Sequence, residues 1–216
     1  MTFSLEIAGP TFVKLGQWAS TRRDIFPEIM CSSLFRLHNK TWTGAKCVDI
    51  PKYLSSRYRI ETPAVGSGCI ARVYGAFDRD SGRHVAIKIK HPGVNESVHR
   101  DVRILESVAY MISMIPTLKW ISLYESAQEF SEYMKSQLDL NVEASNLKRF
   151  RRNFQDVKNV KFPNVVEHEE NILVMDYVKG SCLSELMAMR EDIFKNRKKI
   201  ARLGLRSFLK MLLKDN

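Results

Sequence analysis

Two glycines, an apolar residue and a lysine have the spacing that a phosphate-binding site requires. Gly66 and Gly68 allow a tight backbone bend whose N–H groups approach phosphate oxygens. Val73 offers a branched apolar surface to a base, and Lys88, fifteen residues later, offers an ammonium group. This pattern predicts a nucleotide site, and its predicted binding residues are Gly66, Ser67, Gly68, Cys69, Ala71, Val73 and Lys88.

Two strands must hold these groups in place. The run Asp78–Gly82 is rich in turn residues, so residues 70–77 and 83–90 are predicted to form a hairpin. Val85-Ala86-Ile87-Lys88 then lies on the second strand, with the lysine beneath the glycine loop. Glycine loop, strand, turn and lysine follow the order of the protein-kinase signature.

A second hairpin is predicted over residues 160–178. Its strands are Val160–Val166 and Ile172–Val178, and residues 168–171 form the turn. In a kinase-like chain this segment leads into the hinge, whose backbone bonds the adenine edge. Asp176 and Val178 are therefore predicted nucleotide-binding residues.

Helical periodicity covers most of the remaining sequence. It predicts helices within residues 1–40, from near Asn95 to Pro116, and from about Ser122 to Phe154. Beyond these, a short helix is predicted over residues 181–189, and a final helix follows.

A short motif lies in the first helical region. Lys14 and Gln17 share a helix face, and Gly16 between them costs about 0.8–1 kcal/mol relative to alanine, which indicates a close approach to the backbone. Spacing alone favours an ordinary amphipathic helix with a solvated lysine.

Lys88 needs an acidic partner on a helix to hold it towards phosphates. Glu106 lies 18 residues beyond Lys88, near the position where ordinary kinases keep this acid, and Glu143 lies much further on. Asp139 and Glu143 are four apart and are predicted to share one helix face. Spacing alone favours Glu106.

Composition limits the possible classes of protein. The 216 residues carry a net charge of +10, with 44% hydrophobic and 27% charged residues, as in globular domains. The four cysteines (31, 47, 69 and 182) form no C-x-x-C pair, so reduced thiols in a non-secreted protein are expected. The longest uncharged run is too short to span a bilayer, and no targeting segment is recognised.

The positive charge favours an anionic partner, namely a nucleotide, an anionic lipid or nucleic acid. A basic run at residues 148–152 could contact nucleic acid, but no aromatic platform accompanies it. A solvated basic helix end is the favoured interpretation, so nucleic acid is disfavoured.

Two segments carry a family resemblance. Lys14-x-Gly16-Gln17, within GPTFVKLGQWASTRRDIFP, resembles the K-x-G-Q signature of the UbiB (aarF-domain-containing) atypical kinase-like family, and SQLDLNVEASN at 136–146 resembles its E-x-D segment. The resemblance implies an α+β fold. It divides the chain into a helical extension and connector (1–58), a kinase-like N-lobe (59–178) and the start of a helical C-lobe (179–216).

The resemblance also implies ligands and roles. These are ATP or ADP, Mg²⁺ in a full-length protein, mitochondrial localisation, and a part in coenzyme Q biosynthesis or lipid metabolism. An isoprenoid or anionic lipid and a mitochondrial membrane surface are implied partners. Lys14 and Gln17 would then belong to an extension folded over the nucleotide pocket, and Glu143 rather than Glu106 would hold Lys88.

Two departures from the family pattern stand out. Gln137 replaces the first acid of E-x-D, leaving Asp139 of that pair, and 66–69 reads GSGC where the family loop is alanine-rich.

The family's H-A-D-x-H-P-G-N and D-F-G segments are not found in these 216 residues. No catalytic residue is therefore predicted here, and the chain is expected to be the ATP-binding part of a larger kinase or ATPase. A non-catalytic, nucleotide-gated lipid- or partner-binding pseudokinase is the alternative, and a basic nucleic-acid-binding protein is a weaker one.

Overall fold

The computed structural model describes residues 2–24, 26–38, 50–117, 122–181, 183 and 193–215. Its helices are α1 (Thr2–Ala8), α2 (Pro10–Thr21), α3 (Glu28–Phe35), α4 (Lys52–Arg57), α5 (Val94–Ser113), α6 (Leu123–Ser136), α7 (Leu140–Asn153) and α8 (Ile193–Leu213). Its strands are β1 (Tyr58–Ile60), β2 (Gly66–Ser67), β3 (Ala71–Asp78), β4 (His84–Lys90), β5 (Val165–Glu169) and β6 (Ile172–Asp176). A 3₁₀ turn, Arg36–His38, follows α3.

The strands form one antiparallel sheet in the order β1-β3-β4-β6-β5, with β2 paired to β3. The β3–β4 hairpin matches the first predicted hairpin within one residue at each strand boundary. Val73 lies opposite Lys88, and Lys88 lies opposite Leu173 on β6. The sheet therefore places the lysine next to the base of the glycine loop.

The two faces of the sheet have different partners. On one face, Val85, Ile87 and Ile89 pack with Tyr58 and with Leu54 of α4 in a buried apolar cluster. Because side chains alternate along a strand, Lys88 lies on the opposite face. There Leu173 packs against Leu140 and Ala144 of α7, which places this helix beneath the lysine.

The single helix predicted over 122–154 is wrong, because α6 and α7 are separate. Gln137 is the residue that follows α6, and Asp139 is the N-cap of α7, where its carboxylate accepts a 2.8 Å hydrogen bond from the Asn141 N–H. An aspartate that bonds the first backbone N–H groups starts a new helix instead of continuing the old one. Asp139 therefore caps the helix that carries Glu143 and does not lie within a continuous helix with it.

The second hairpin is shorter than predicted. Its strands begin at Val165 and end at Asp176, and the turn narrows to Glu170 and Asn171. The proposed helix at 181–189 lies outside the described residues except for residues 181 and 183. Cys31 and Cys69 are free buried thiols, and Cys47 and Cys182 also lie outside the described part of the chain.

The N-terminal helices pack on one another around Gly16. A Cβ at Gly16 would lie 2.6 Å from Leu37 Cδ1 and 2.9 Å from Leu5 Cδ1, so the close approach indicated by this glycine comes from neighbouring side chains. The Gln17 amide donates a 3.0 Å hydrogen bond to the Leu37 carbonyl and so fixes the 3₁₀ turn to α2. None of the described helices has the length and apolar content needed to cross a bilayer.

Candidate nucleotide-binding site

A cavity of about 680 Å³ lies between the glycine loop and the α6–α7 pair. This volume is within the range of small-molecule sites in proteins. Its roof is formed by residues 66–71, Val73 and Lys88, and its floor by side chains of α6, α7 and the link between them. The described floor residues are Tyr133, Ser136, Gln137, Asp139, Val142, Glu143, Asn146, Leu147 and Phe150, and Lys14 closes one side.

The roof and floor are joined by an ion pair. Lys88 Nζ lies 2.5 Å from Glu143 Oε2, with the lysine side chain 23% and the glutamate side chain 38% exposed. Glu106, on α5, is not among the described residues that line the cavity. The structure thus pairs Lys88 with the more distant of the two acids.

The glycine loop leaves open space where a phosphate would need it. A Cβ built on Gly66 meets nothing within 4 Å, and one on Gly68 meets only the Ala71 carbonyl at 3.6 Å. The Gly68 N–H donates to that carbonyl at 2.9 Å, which closes the turn between β2 and β3. A loop with this geometry and an ammonium below it fits a polyphosphate.

His91 supports the loop from behind. Its Nε2 lies 2.8 Å from the Gly68 carbonyl, and its backbone N–H donates to the Ile70 carbonyl at 2.9 Å. Burial lowers the pKa of His91, so the neutral imidazole donates through Nε2. Sequence reasoning missed this residue, although its position directly after β4 was a usable signal.

Lys90 supports the floor. Its side chain is 3% exposed, and Nζ donates to the Leu138 carbonyl at 2.5 Å and to Asn95 Oδ1 at 3.1 Å. Leu138 belongs to the link between α6 and α7, so the strand that carries Lys88 also holds the start of the helix that carries Glu143. Sequence reasoning missed Lys90 too, although a residue two positions after Lys88 shares its face.

Cys69 lies in the loop and is buried. Burial raises the pKa of its thiol, and the positive charge of Lys14 partly offsets that effect. The thiol is therefore protonated at neutral pH, and Cys69 acts here as a small apolar side chain of the roof.

Among the K-x-G-Q residues, only the lysine lines this cavity. Lys14 lines the cavity, as do Gln137 and Asp139. Gln17, in contrast, is absent from the described lining and uses its amide to hold the Leu37 carbonyl. Gly16 is buried within the extension.

The two predicted hinge residues lie away from the cavity. Asp176 Oδ1 pairs with the Arg83 guanidinium at 2.5 Å, and Val178 is 51% exposed beyond the end of β6. Neither is among the described residues that line the cavity. Their role at the adenine edge stays a prediction.

The apolar part of the floor could not be read from the sequence. Leu147 and Phe150 line the cavity together with Val142 and Tyr133. Val142, Leu147 and Phe150 recur in the sequence at roughly helical spacing, but such an apolar stripe does not reveal whether it faces a core or a ligand.

Few side chains of the described cavity lining are of the types that bind metal ions. Among the described residues, no group of three or more His, Cys, Asp or Glu side chains is placed to hold a metal ion. Asp139 bonds a backbone N–H and Glu143 bonds Lys88, so both carboxylates of the cavity have partners. The described residues therefore do not by themselves form a Mg²⁺ site.

The basic run on α7 is partly used within the chain. Arg149 donates to the Asp215 carbonyl at 2.7 Å, Arg151 bonds Asn164, and Lys148 Nζ lies 2.9 Å from His168 Nε2. These contacts join α7 to α8 and to the β5 hairpin, as expected of a structural surface.

Comparison with known proteins points to one family. Residues 52–216 match the ABC1 atypical kinase-like domain. A mitochondrial ABC1 family protein of Saccharomyces cerevisiae is 34% identical, with 99% of this chain and 36% of that protein covered. A protein of Yersinia pestis named probable protein kinase UbiB is 28% identical, with 100% of this chain and 42% of that protein covered.

Among solved structures, an erythromycin complex of a Mycobacterium tuberculosis protein is similar in fold. Its TM-score is 0.50 at 23% identity, and the match covers 87% of this chain and 49% of that protein. The predicted α+β class with a kinase-like N-lobe is confirmed. The yeast relative is named as a mitochondrial protein, which is the localisation that the family resemblance implies for this chain.

Proposed function

The chain belongs to the ABC1 atypical kinase-like family, with the UbiB proteins among its relatives, and on that premise we propose that its cavity binds ATP or ADP. The observation that carries the proposal is the Lys88–Glu143 pair directly below an open glycine loop. Each residue then has a defined task.

The Lys88 ammonium contacts the α- and β-phosphates, and Glu143 keeps it from turning towards solvent. The Gly68 N–H already donates to the Ala71 carbonyl, so the other backbone N–H groups of residues 66–69 approach the phosphate oxygens, because a glycine without a Cβ permits short contact. Val73 above and Leu147 below provide apolar surfaces for the adenine.

The activity of the whole protein is a further proposal. The chain spans 36–42% of the length of the two curated relatives described above. We propose that the whole protein is a mitochondrial atypical kinase or ATPase in coenzyme Q biosynthesis or lipid metabolism, and that Mg²⁺ accompanies the nucleotide. Such a metal would supply charge neutralisation on the phosphates.

A second candidate function is nucleotide-gated binding without phosphoryl transfer. Gln137 faces the cavity where the family pattern has an acid, and Lys14 lines the same cavity without an ion pair in the described part of the chain. Because Gln137 carries no charge, it offers Lys14 no ion pair, and the contact between the extension and the cavity differs from that of the family pattern. These two features favour a pseudokinase that binds a lipid or a protein partner when nucleotide is present.

Thermal unfolding with and without nucleotide tests nucleotide binding, which both candidate functions require. A ligand present at 100 times its Kd adds about 2.7 kcal/mol to the free energy of unfolding, so ATP is expected to raise the Tm. Lys88→Ala should remove this shift. Lys52→Ala, which removes an exposed lysine on α4, should keep it.

An equal ATP shift in wild type and Lys88→Ala would refute nucleotide binding at this cavity. ATP turnover by a longer protein that contains this segment separates the two candidates. Turnover that Lys88→Ala abolishes supports the kinase or ATPase, whereas binding without turnover supports the pseudokinase.

A further inference from the structure

We propose that the chain binds an amphipathic ligand, with an apolar tail beneath the N-terminal extension and an anionic head beside the nucleotide site. The evidence is a series of three adjoining cavities whose chemistry changes from apolar to charged. The proposal rests on the nucleotide function only in placing the head next to the nucleotide's phosphates.

The first of the three is an apolar cavity of about 430 Å³ between α2–α3 and α5–α6. Its walls include Trp18, Phe26, Met30, Leu105 and Phe130, and Ser126 supplies the one hydroxyl group of the described lining. The volume suits a small ligand, and a cavity at the boundary between an extension and a domain is a common ligand position. Its chemistry selects a hydrocarbon chain.

A polar cavity of about 570 Å³ adjoins the apolar one. Trp18, Ser126 and Phe130 line both, so the two share a wall. Lys14 and Tyr133 in turn line both the polar cavity and the nucleotide cavity. If the tail of a ligand lies in the apolar cavity and its head in the polar cavity, only the side chains that line both the polar and the nucleotide cavities separate the head from the nucleotide.

The charges of the polar cavity favour an anionic head. Lys14 is half-buried and has no carboxylate partner among the described residues, whereas Arg22 pairs with Asp24 at 2.7 Å. His38 Nε2 lies 2.9 Å from Ser20 Oγ, and Glu129 is exposed to solvent. Among the described residues, the Lys14 ammonium is thus the charged group of this cavity without an oppositely charged partner. A phosphate or carboxylate head would form an ion pair with it.

Decyl phosphate below its micelle concentration is a suitable probe, measured by calorimetry with the 216-residue chain. Shorter alkyl phosphates should bind more weakly, by roughly fourfold for each methylene lost from the cavity. Ala127→Phe fills the apolar cavity and should weaken decyl phosphate at least tenfold. Ala201→Phe makes the same change at an exposed site on α8 and should leave binding unchanged.

The variant Lys14→Met tests whether Lys14 binds the anionic head. This variant should lower the affinity for decyl phosphate several-fold and leave 1-decanol unaffected, while decyltrimethylammonium should bind poorly to wild type. The ATP-induced Tm shift of Ala127→Phe serves as the folding control, because Ala127 does not line the nucleotide cavity.

Several outcomes overturn the proposal. Binding that is independent of tail length, or equal in Ala127→Phe and Ala201→Phe, places the probe elsewhere. Loss of decyl phosphate binding in Lys88→Ala, together with displacement by ATP, places it in the nucleotide cavity. Retained decyl phosphate binding without an ATP shift would overturn the nucleotide function and leave this inference standing.

Discussion

At the scale of single residues, the partner of Lys88 is the feature most open to test. We expect Glu143→Gln to lower ATP affinity on the order of tenfold, because a lysine that loses a charge-assisted hydrogen bond no longer stays aimed at the phosphates. Glu106→Gln makes the same chemical change outside the described cavity lining and should have little effect. Titration of both variants with ATP by calorimetry decides between them, and the reverse ranking would show that Glu106 holds the lysine when nucleotide is bound.

His91 makes a pH-dependent contribution to stability. Burial lowers its pKa below the ordinary value of 6.5, so the unfolded chain binds the proton more readily than the folded chain. This contribution is fully present above about pH 6.5 and is lost as pH falls through the folded pKa. Urea unfolding between pH 5 and 7.5 should show that slope in wild type.

His91→Phe and His91→Gln separate the proton from the hydrogen bond. Both variants should lose the part of the pH slope that His91 supplies. His91→Phe should also lose roughly 1 kcal/mol at neutral pH, since the Gly68 carbonyl loses its donor, whereas His91→Gln keeps an N–H group for it. An unchanged slope in both variants would assign the pH dependence to other histidines.

At the scale of elements, Lys90 connects β4 to the α6–α7 link. We expect Lys90→Met to cost roughly 1–3 kcal/mol in the free energy of unfolding, because the carbonyl of the buried Leu138 loses its donor. ATP affinity should fall as well, since the start of α7 sets the position of Glu143. Denaturant unfolding and ATP titration measure the two effects.

Lys161→Met is the matched control, because it removes one exposed lysine without disturbing the link between α6 and α7. If Lys90→Met and Lys161→Met behave alike in both measurements, Lys90 has no positioning role.

At the scale of the whole molecule, α8 presents an uncovered apolar face. Leu205, Phe208, Leu209, Leu212 and Leu213 are exposed, although Arg149 of α7 bonds the Asp215 carbonyl just beyond the end of this helix. Contiguous exposed apolar side chains attract hydrophobic dyes and other proteins.

The chain should therefore enhance the fluorescence of an apolar dye such as ANS, and Phe208→Glu with Leu212→Glu should reduce that enhancement. Gln128→Glu with Gln155→Glu adds the same charge at two exposed polar positions and should not reduce it. Equal fluorescence in both double variants would mean that the dye binds elsewhere, with the apolar cavity beneath the extension as the first alternative.

Much of the roof could be predicted from the sequence by itself. Turn residues, strand alternation and two glycines act over a few neighbouring positions, so the β3–β4 hairpin and the place of Lys88 within it followed from local rules. The K-x-G-Q motif and the E-x-D segment indicated the family, which the matching domain confirms.

Spacing along the sequence did not decide how the floor meets the roof; the family resemblance implied Glu143, and the tertiary structure shows the contact. Glu143 lies 55 residues from Lys88, and no spacing rule reaches that far. The contact depends on the break at Asp139 and on Leu140 and Ala144 packing against Leu173. Gln17 likewise bonds Leu37, 20 residues away, and does not line the nucleotide cavity. Local hydrogen bonds and steric restrictions depend on residues that are adjacent in the sequence. The pairing of distant side chains depends instead on how whole helices and strands pack.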